Sequence, residues 1–364
     1  MLDEKLMAVE RGEIKRLIVN MPPRHFKCVD GDTRIQLADG SWRAIRDIEI
    51  GERVISLDPD WKFTNDRIVD KVCTGDKEVY RLELEGSQRI FATKDHRILT
   101  FLGWKTVSEL NNNDFVAVTR NIPIDVTGTT ITNDDALLLA VWIAEGDKRS
   151  RRFAFTNGNE VIISEMRRIA LERSWTFSRV KHHEYGYAIG MNGKQCKTNP
   201  MSFLRRFNVQ DMTTESVSVP NEIFMSSNTL ISHFISALWC CDGCVQKQAK
   251  SLVYVTKSES LARDLQRLLL RFSIRSVINH WAVQQDGKTF DHWRVAISDA
   301  ENINRFADKI GIIGKEIAMD YLKSEVTKRG ASNNKFDGIP GEWRKLKKMS
   351  EGWYRNHHGI RFKT

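Results

Sequence analysis

The sequence predicts an all-β domain followed by an α/β domain built from two copies of one unit. Across residues 28–125, short runs rich in Val, Ile and Leu alternate with turn signals such as Asp39-Gly40, without sustained helical periodicity. After residue 133, an apolar helix that ends in an acid and a glycine occurs twice, at 136–146 and 234–243. Each copy is followed by a strand, an amphipathic helix and two strand-like runs, which indicates a pseudo-twofold domain rather than a solenoid.

Composition excludes several classes of protein. The chain has 364 residues, a hydrophobic fraction of 41% and a net charge of +9, as in an ordinary globular protein with some affinity for polyanions. Its longest apolar run, Ala136–Ala144, is about half the length of a membrane helix. The N-terminal residues mix acids and bases and do not form a signal peptide. We therefore expect a cytoplasmic protein with no membrane partner.

The first 27 residues end in a strand and a turn. Leu17–Met21 is apolar and leads into Pro22-Pro23-Arg24-His25-Phe26-Lys27, the outline of a phosphate-binding loop without its usual glycines. This short segment resembles the phosphate-binding loop near the start of phage terminase large subunits. The resemblance implies a bacterial host cell and phosphate contacts through Arg24 and Lys27 in the host protein.

The β-rich block begins with a cysteine and carries a Thr-x-x-His motif. The Cys28 thiol can attack the preceding carbonyl and convert the Lys27–Cys28 amide into a thioester, but amide resonance opposes this step. A neighbouring imidazole can protonate the leaving nitrogen, and a hydroxyl can hold the peptide in place. His96 and Thr93 are candidates for these two roles.

This block resembles the N-terminal splicing region of inteins and the related Hint domains. The resemblance is carried by the opening Cys-x-x-Gly-Asp-Thr at 28–33 and by segments 45–54, 92–100, 103–110 and 112–118, in the same order. It implies that Cys28 is the first splicing nucleophile and that Thr93 and His96 activate its scissile bond. Splicing would then rejoin Lys27 to a following Ser or Thr and complete the phosphate-binding loop.

The repeated helices place one acid at each helix end. Carboxylates are the ligands that Mg²⁺ prefers, and phosphodiester oxygens can complete its coordination. One such helix could simply have a C-terminal glycine cap. Two helices, with Glu145 before Gly146 and Asp242 before Gly243, favour a divalent metal site instead.

These segments resemble the LAGLIDADG motifs of intein-borne homing endonucleases, and Lys257–Arg275 resembles the helix of the second repeat. The resemblance implies two αββαββα halves whose strands enter the DNA major groove. It also implies that Glu145 and Asp242 are the catalytic, metal-binding acids, with Mg²⁺ as cofactor and Mn²⁺ as an alternative. Lys257 is the candidate catalytic lysine, although helix capping or phosphate contact would explain it equally well.

Basic residues mark the expected DNA contacts. From Lys323 to Thr364 the chain has eleven Lys/Arg against four Asp/Glu, with aromatic residues between them. This composition suits a phosphate backbone or a solvated helix face. The candidates on strands and in this tail are Lys148, Arg149, Arg151, Arg152, Lys247, Lys250, Arg344, Lys345, Lys347 and Lys348.

The interpretation is a monomeric, site-specific, metal-dependent double-strand DNA endonuclease fused to a splicing domain. The predicted domains are a host-protein remnant (1–27), a Hint domain (28–125), an endonuclease (133–310, with repeats at about 133–228 and 229–310) and a truncated basic tail (311–364). The alternatives are a DNA-binding module whose nuclease has decayed and a terminase ATPase fragment. Inteins end in His-Asn, and this dipeptide does not occur in the sequence. We therefore expect a missing or separately encoded C-terminal splicing segment.

Overall fold

The computed structural model describes residues 28–58, 62–124, 126, 131–150, 152–193, 199–285 and 287–328. Two compact units are formed in this part of the chain. The first contains residues 28–33, 72–83 and 89–117, and the second contains the other described residues. Residues of the predicted splicing domain occur in both units. The predicted boundary near residue 125 therefore gives the order of the domains along the chain, and not the division into compact units.

The β-rich block is formed by short strands, as predicted. The described strands are β1 (Arg34–Gln36), β2 (Trp42–Ala44), β3 (Arg53–Leu57), β4 (Phe63–Arg67), β5 (Tyr80–Glu83), β6 (Arg89–Ala92), β7 (Arg97–Thr100) and β8 (Gly103–Thr106). The strands form four antiparallel hairpins: β1 pairs with β2, β3 with β4, β5 with β6, and β7 with β8. Only single 3₁₀ turns interrupt the described strands here, which agrees with the frequent turn residues in the sequence.

The α/β block contains the two predicted copies. The first copy contains α1 (Asn133–Glu145), β9 (Phe153–Thr156), α2 (Glu160–Glu172), β10 (Trp175–Arg179), β11 (Gly186–Met191) and α3 (Pro200–Arg206), and the short α4 (Asn221–Phe224) follows it. The second copy contains α5 (Asn228–Cys241), β12 (Gly243–Gln246), β13 (Ser251–Thr256), α6 (Glu259–Leu270), β14 (Val277–Gln285), β15 (Lys288–Ile297), α7 (Ala300–Lys309) and α8 (Glu316–Lys328).

Helices of this block begin at short polar residues. Each of these side chains accepts a hydrogen bond from a backbone N–H in the first turn, a group that has no partner inside the helix. At α1, Thr132 and Asp135 form a reciprocal capping box. At the other helices with a cap of this kind, the N-cap side chain alone accepts the backbone hydrogen bond. These N-cap residues are Asn159, Asn199, Ser227, Ser258 and Asp299. The starts of these helices are therefore fixed locally by sequence.

The sheets of the two copies have matching topology. The first sheet has the order β10-β11-β9 and the second has the order β12-β13-β15-β14, with antiparallel neighbours throughout. The first copy replaces the counterpart of β12 by a single bridge, Gly146 to Phe155, where the second copy pairs Gly243 with Tyr254. The predicted pseudo-twofold αββαββα architecture is confirmed, with this one strand reduced to a bridge.

The core of the second unit surrounds the helix pair α1 and α5, which pack against each other. Residues 135–143 of α1 are all buried, as expected for a helix that is apolar on every face. Trp142 and Trp239, near the two helix ends, are fully buried. Among the described residues, no helix has the length and apolar character required to cross a membrane.

Candidate active sites

Two helix ends in the second unit carry the predicted acidic pair. Glu145 is the last residue of α1, and Asp242 is the C-cap of α5. The glycine after each acid allows the chain to turn closely past a tryptophan of the same helix. A Cβ on Gly146 would lie 2.6 Å from the Trp142 ring, and one on Gly243 would lie 2.4 Å from the Trp239 ring. The glycine repeated after each acid is therefore a packing requirement of these helix ends.

The two carboxyl groups act on each other. The pKa of Glu145 is raised to about 7. Burial is the main cause, and the charge of Asp242 is the second. Burial among neighbouring protein atoms also raises the pKa of Asp242 to about 6, although its side chain keeps an exposed surface. Two carboxyl groups with raised pKa values at one location are unfavourable when both are ionised, unless a cation lies between them.

The donor set fits a divalent metal that shares its coordination with another molecule. Glu145 Oε2 is buried and accepts no hydrogen bond from the described residues. No group of three or more His, Cys, Asp or Glu side chains suited to a metal occurs among those residues. Two carboxylates alone leave an incomplete oxygen shell, which phosphodiester oxygens could complete. The acids therefore fit a metal held jointly with nucleic acid.

A lysine lies at each helix end, in a repeated arrangement. Lys148 Nζ donates to the Trp142 carbonyl and lies 4.4 Å from the Trp142 ring centroid. Lys315 Nζ donates to the Trp239 carbonyl at 3.2 Å and to the Gly243 carbonyl at 2.9 Å. Burial lowers the pKa of Lys148 to about 7, while the charge of Asp242 acts in the opposite direction. The charge of Lys315 lowers the pKa of both carboxyl groups.

Sequence reasoning missed Lys315 and placed Lys148 on a DNA-binding strand. The structure gives both lysines a position next to the acids. Lys257, the candidate catalytic lysine, instead has its ammonium 4.7 Å from the Phe290 ring centroid. The lysines whose charges act on the two acids are therefore Lys148 and Lys315, and a catalytic role of Lys257 stays a prediction.

Two neutral side chains also contact the acids and were not predicted. Asn157, just after β9, forms a hydrogen bond that lowers the pKa of Glu145, and its Nδ2 donates to Cys241 Sγ at 3.6 Å. The fully buried Tyr254 side chain interacts with Asp242 and lowers the pKa of that carboxyl group. The repeat could have suggested Tyr254, because it occupies the strand position that Phe155 occupies in the first copy.

Several predicted DNA-contact residues lie along one cleft of 740 Å³ that begins at Glu145. Lys148, Arg149 and Arg152 line it, together with strand residues of the first copy. Of the second copy's candidates, Lys250 forms an ion pair with Glu325 at 2.9 Å, and the Lys247 ammonium lies 5.3 Å from the Tyr321 ring centroid. DNA contact by all of these residues stays a prediction. The remaining candidates, Arg24, Lys27, Arg151, Arg344, Lys345, Lys347 and Lys348, lie outside the described residues.

The first unit brings the predicted splicing residues together. The Cys28 carbonyl accepts hydrogen bonds from the Thr93 backbone N–H at 3.0 Å and from Thr93 Oγ1 at 3.4 Å. The bridge between Val29 and Ala92 aligns the two segments. His96 follows in the same turn, where its N–H donates to the Thr93 carbonyl at 3.0 Å. Cys28 and Thr93, 65 positions apart in sequence, are therefore in contact, and the splicing roles of these residues stay a prediction.

Three further side chains surround this site. Thr74 Oγ1 lies 3.3 Å from Cys28 Sγ, and Lys77 Nζ donates to the same sulfur at 3.6 Å. A hydrogen bond from Thr93 is the main cause that lowers the pKa of Asp95, and the charges of Lys77 and His96 add to it. These residue types are common in loops, so only the fold could reveal their position.

Comparison with known proteins gives one family match. Residues 229–311 match the LAGLIDADG-like domain, a range that covers α5 to α7. The replicative DNA helicase DnaB of Rhodothermus marinus is 31% identical over 307 residues, which are 80% of this chain and 32% of the relative. The chain spans between 32% and 40% of the length of the first curated relatives that it matches.

Two solved structures each cover part of the chain. A DnaB intein from Synechocystis sp. PCC 6803 is 31% identical and covers 26% of this chain and 70% of its own, with a TM-score of 0.25. The homing endonuclease I-DmoI, in complex with DNA and Mn, is 18% identical and covers 49% of this chain and 96% of its own, with a TM-score of 0.34. With the family match and the paired sheets of the second unit, the described chain has the fold of an intein with a homing endonuclease: a Hint domain followed by an α/β LAGLIDADG domain.

Proposed function

We propose that this chain is a site-specific, metal-dependent endonuclease that cleaves double-stranded DNA, fused to a protein-splicing domain. The observation that carries the nuclease proposal is the pair Glu145 and Asp242 at two packed helix ends, with raised pKa values and a lysine at each end. Perturbed acids beside a basic cleft are typical of a site for phosphate chemistry. We expect the protein to act as a monomer, because both acids come from one chain.

Each residue of this site has a role in DNA hydrolysis. Glu145 and Asp242 would hold Mg²⁺, or Mn²⁺ in its place, and the bound ion would stabilise negative charge on a phosphodiester oxygen. The charge of Lys315 lowers the pKa of both acids and so favours their ionised forms. Lys148, with a pKa near 7, can hold or release a proton at Nζ close to Asp242. Arg149 and Arg152 offer positive charge to the DNA backbone along the cleft.

The DNA target that we propose is the uninterrupted gene of the host protein. Residues 22–27 resemble the phosphate-binding loop of a phage terminase large subunit, and the splicing cysteine follows Lys27 directly. An endonuclease encoded at this position would recognise the joined codons of the complete loop. Insertion of its own coding sequence separates these codons and so removes the target.

A cleavage assay on DNA that spans these joined codons tests the proposal. Wild-type protein should cut with Mg²⁺ or Mn²⁺, while Asp242→Asn should bind equally well or more tightly without cutting. The tighter binding would follow because the variant removes one negative charge near the phosphates. Asp320→Asn is the control, since it removes an equal charge from an exposed position on α8.

The possible outcomes separate the nuclease from its alternatives. Specific binding by wild type without cutting in either metal would identify a DNA-binding module with a decayed nuclease. Cutting at a different specific site would retain the nuclease and remove the terminase host. Equal cutting by wild type and Asp242→Asn would exclude the acidic pair as the active site.

For the first unit, we propose an N–S acyl shift at the Lys27–Cys28 bond. The supporting observation is the pair of hydrogen bonds from Thr93 to the Cys28 carbonyl, with His96 in the same turn. Thr93 holds the Cys28 backbone, and the His96 imidazole is the candidate donor of a proton to the leaving nitrogen. Dithiothreitol should therefore release a fragment that ends at Lys27, as seen by intact mass. Cys28→Ala should abolish this release, and unchanged mass in folded wild type would refute the proposal.

A further inference from the structure

We propose that Lys77 is a catalytic residue of the Cys28 acyl shift, in which its ammonium stabilises the attacking thiolate. The inference rests on the splicing function proposed above and adds a second group that acts on the reacting sulfur. It starts from the geometry of the first unit. Lys77 Nζ donates to Cys28 Sγ at 3.6 Å, and Thr74 Oγ1 lies 3.3 Å from the same atom.

The chemistry at the sulfur explains why a cation is useful there. A thiolate is far more nucleophilic than a thiol, and a nearby positive charge favours the thiolate. A hydrogen bond from an ammonium to an anion is also stronger than one between neutral groups. Lys77 supplies both interactions, and the Thr74 hydroxyl can donate to the same sulfur once the thiol proton has left.

Asp95 places a second charge near Lys77. The interaction with the Thr93 side chain is the main cause that lowers the pKa of Asp95, so Asp95 is ionised at neutral pH. Lys77 and His96 both interact with this charge. The Lys77 ammonium therefore lies in the field of one permanent anion, Asp95, and next to one transient anion, the Cys28 thiolate.

The acyl shift with these groups is balanced. The Cys28 thiol loses its proton to solvent, and the resulting thiolate attacks the carbonyl carbon of Lys27. A C–S bond forms, the C–N bond of the Lys27–Cys28 peptide breaks, and the leaving nitrogen takes up a proton from His96. The sulfur is neutral in the starting thiol and in the thioester, so Lys77 stabilises the charged thiolate that forms between them. Lys77 transfers no proton in any of these steps.

Exposure of Lys77 sets the size of the effect. The side chains of Lys77 and Thr74 are both exposed, so the fold does not depend on them and solvent partly screens the charge. An exposed pair of this kind changes a rate by roughly two- to fivefold rather than by orders of magnitude. The pH dependence of the change, and not its size alone, therefore identifies the role.

The test compares thiol-induced release of the Lys27 fragment from the full chain in wild type, Lys77→Met and Lys77→Arg. At each pH the variant rate is divided by the wild-type rate, which cancels the ionisation of dithiothreitol. For Lys77→Met we expect a roughly two- to fivefold loss near pH 6 that disappears near pH 9, where an ordinary thiol ionises without help. Lys77→Arg should restore the rate. Lys94→Met is the matched control, because Lys94 is also an exposed lysine of the first unit.

The results distinguish failure of the inference from failure of the splicing function. Release from wild type with an unchanged Lys77→Met rate, or with a loss that is equal at every pH, overturns the role of Lys77 alone. No release from folded wild type overturns the splicing function and the Lys77 role together. A second readout is the rate at which iodoacetamide alkylates Cys28, measured by peptide mass. This rate should fall in Lys77→Met near pH 6 and stay unchanged in Lys94→Met, and equal rates would contradict the inference.

Discussion

At the residue scale, the ionisation of Glu145 links stability to function. Its pKa rises from an ordinary value of 4.5 to about 7 in the folded protein, mainly through burial. Between these values the folded state holds a proton that the unfolded state has lost, so the free energy of unfolding falls as the pH rises through this window. Asp242, with a pKa of about 6, acts in the same direction. The site is therefore least favourable to the fold under the conditions in which it can hold a metal.

The first prediction is that Glu145→Gln stabilises the protein in the absence of metal. The variant removes the charge that burial and Asp242 oppose. Its midpoint of urea unfolding should exceed that of wild type at about pH 8, and the difference should vanish near pH 4. Mg²⁺ should raise the midpoint of wild type more than that of the variant, because it binds the folded state. A wild-type midpoint equal to the variant's at every pH would contradict the raised pKa.

A second prediction concerns Lys315, whose charge lowers the pKa of both acids. Without that charge, Lys315→Met should shift the pH profile of DNA cleavage to more alkaline values, since the acids would bind protons more tightly. Loss of its hydrogen bonds to the Trp239 and Gly243 carbonyls should also reduce stability by roughly 1 kcal/mol. Lys315→Arg keeps the charge and should retain the profile. An unshifted profile in Lys315→Met with the expected loss of stability would assign this lysine a capping role only.

At the scale of the element, the helix ends show what sequence could and could not predict. An apolar run, an acid and a glycine identify α1 and α5, because the pattern is local. The sequence alone misaligns the strands that follow these two helices. Similar letters at 153–157 and 253–257 match Asn157 with Lys257. The bridges instead make Phe155 equivalent to Tyr254, which moves Asn157 by one residue onto Thr256. Strand register is set by pairing across the sheet and by turn geometry, which local similarity of letters does not report.

The position of Lys315 at the end of α5 could not be predicted from local sequence. This lysine follows α7 in sequence, and it reaches the end of α5 only because that part of the chain returns to the helix pair. Lys77 and Asp95 were missed for the same reason, since tertiary folding brings separate loops together. The motif residues Cys28 and Thr93 could be paired without a structure, because the family resemblance supplied the long-range contact.

The third prediction tests the glycine at the end of α5. A Cβ on Gly243 would lie 2.6 Å from the Trp239 Cα, a backbone atom that cannot turn aside. Gly243→Ala should therefore displace Asp242, lower stability by about 1–3 kcal/mol and reduce DNA cleavage. Gly158→Ala is the matched control, because the nearest atom to its added Cβ is 3.4 Å away. Retention of wild-type stability and cleavage in Gly243→Ala would show that the helix end adapts without moving the acid.

At the scale of the whole molecule, the two candidate sites lie in separate compact units. Cys28, Thr93 and His96 belong to the first unit, whereas Glu145 and Asp242 belong to the second. The net charge of +9 is a property of the full chain, and long-range attraction to DNA depends on it. The chemical steps depend on short-range contacts within each unit. A mutation in one unit should therefore change only the chemical step of that unit. DNA affinity should instead depend on the charge of the full chain and on the salt concentration.

The fourth prediction is that the two activities are independent. Cys28→Ala should abolish thiol-induced release and leave the rate of DNA cleavage unchanged. Asp242→Asn should abolish cleavage and leave release unchanged, because changes at sites with no shared partners are usually additive. The double variant should show both losses and no further change in the urea midpoint beyond the sum of the single variants. Raising the salt concentration should weaken DNA binding by all four proteins and leave the rate of release nearly constant, since only the first process displaces counterions from phosphates. A Cys28→Ala variant that binds DNA normally but cuts slowly would show instead that the splicing site is coupled to the nuclease.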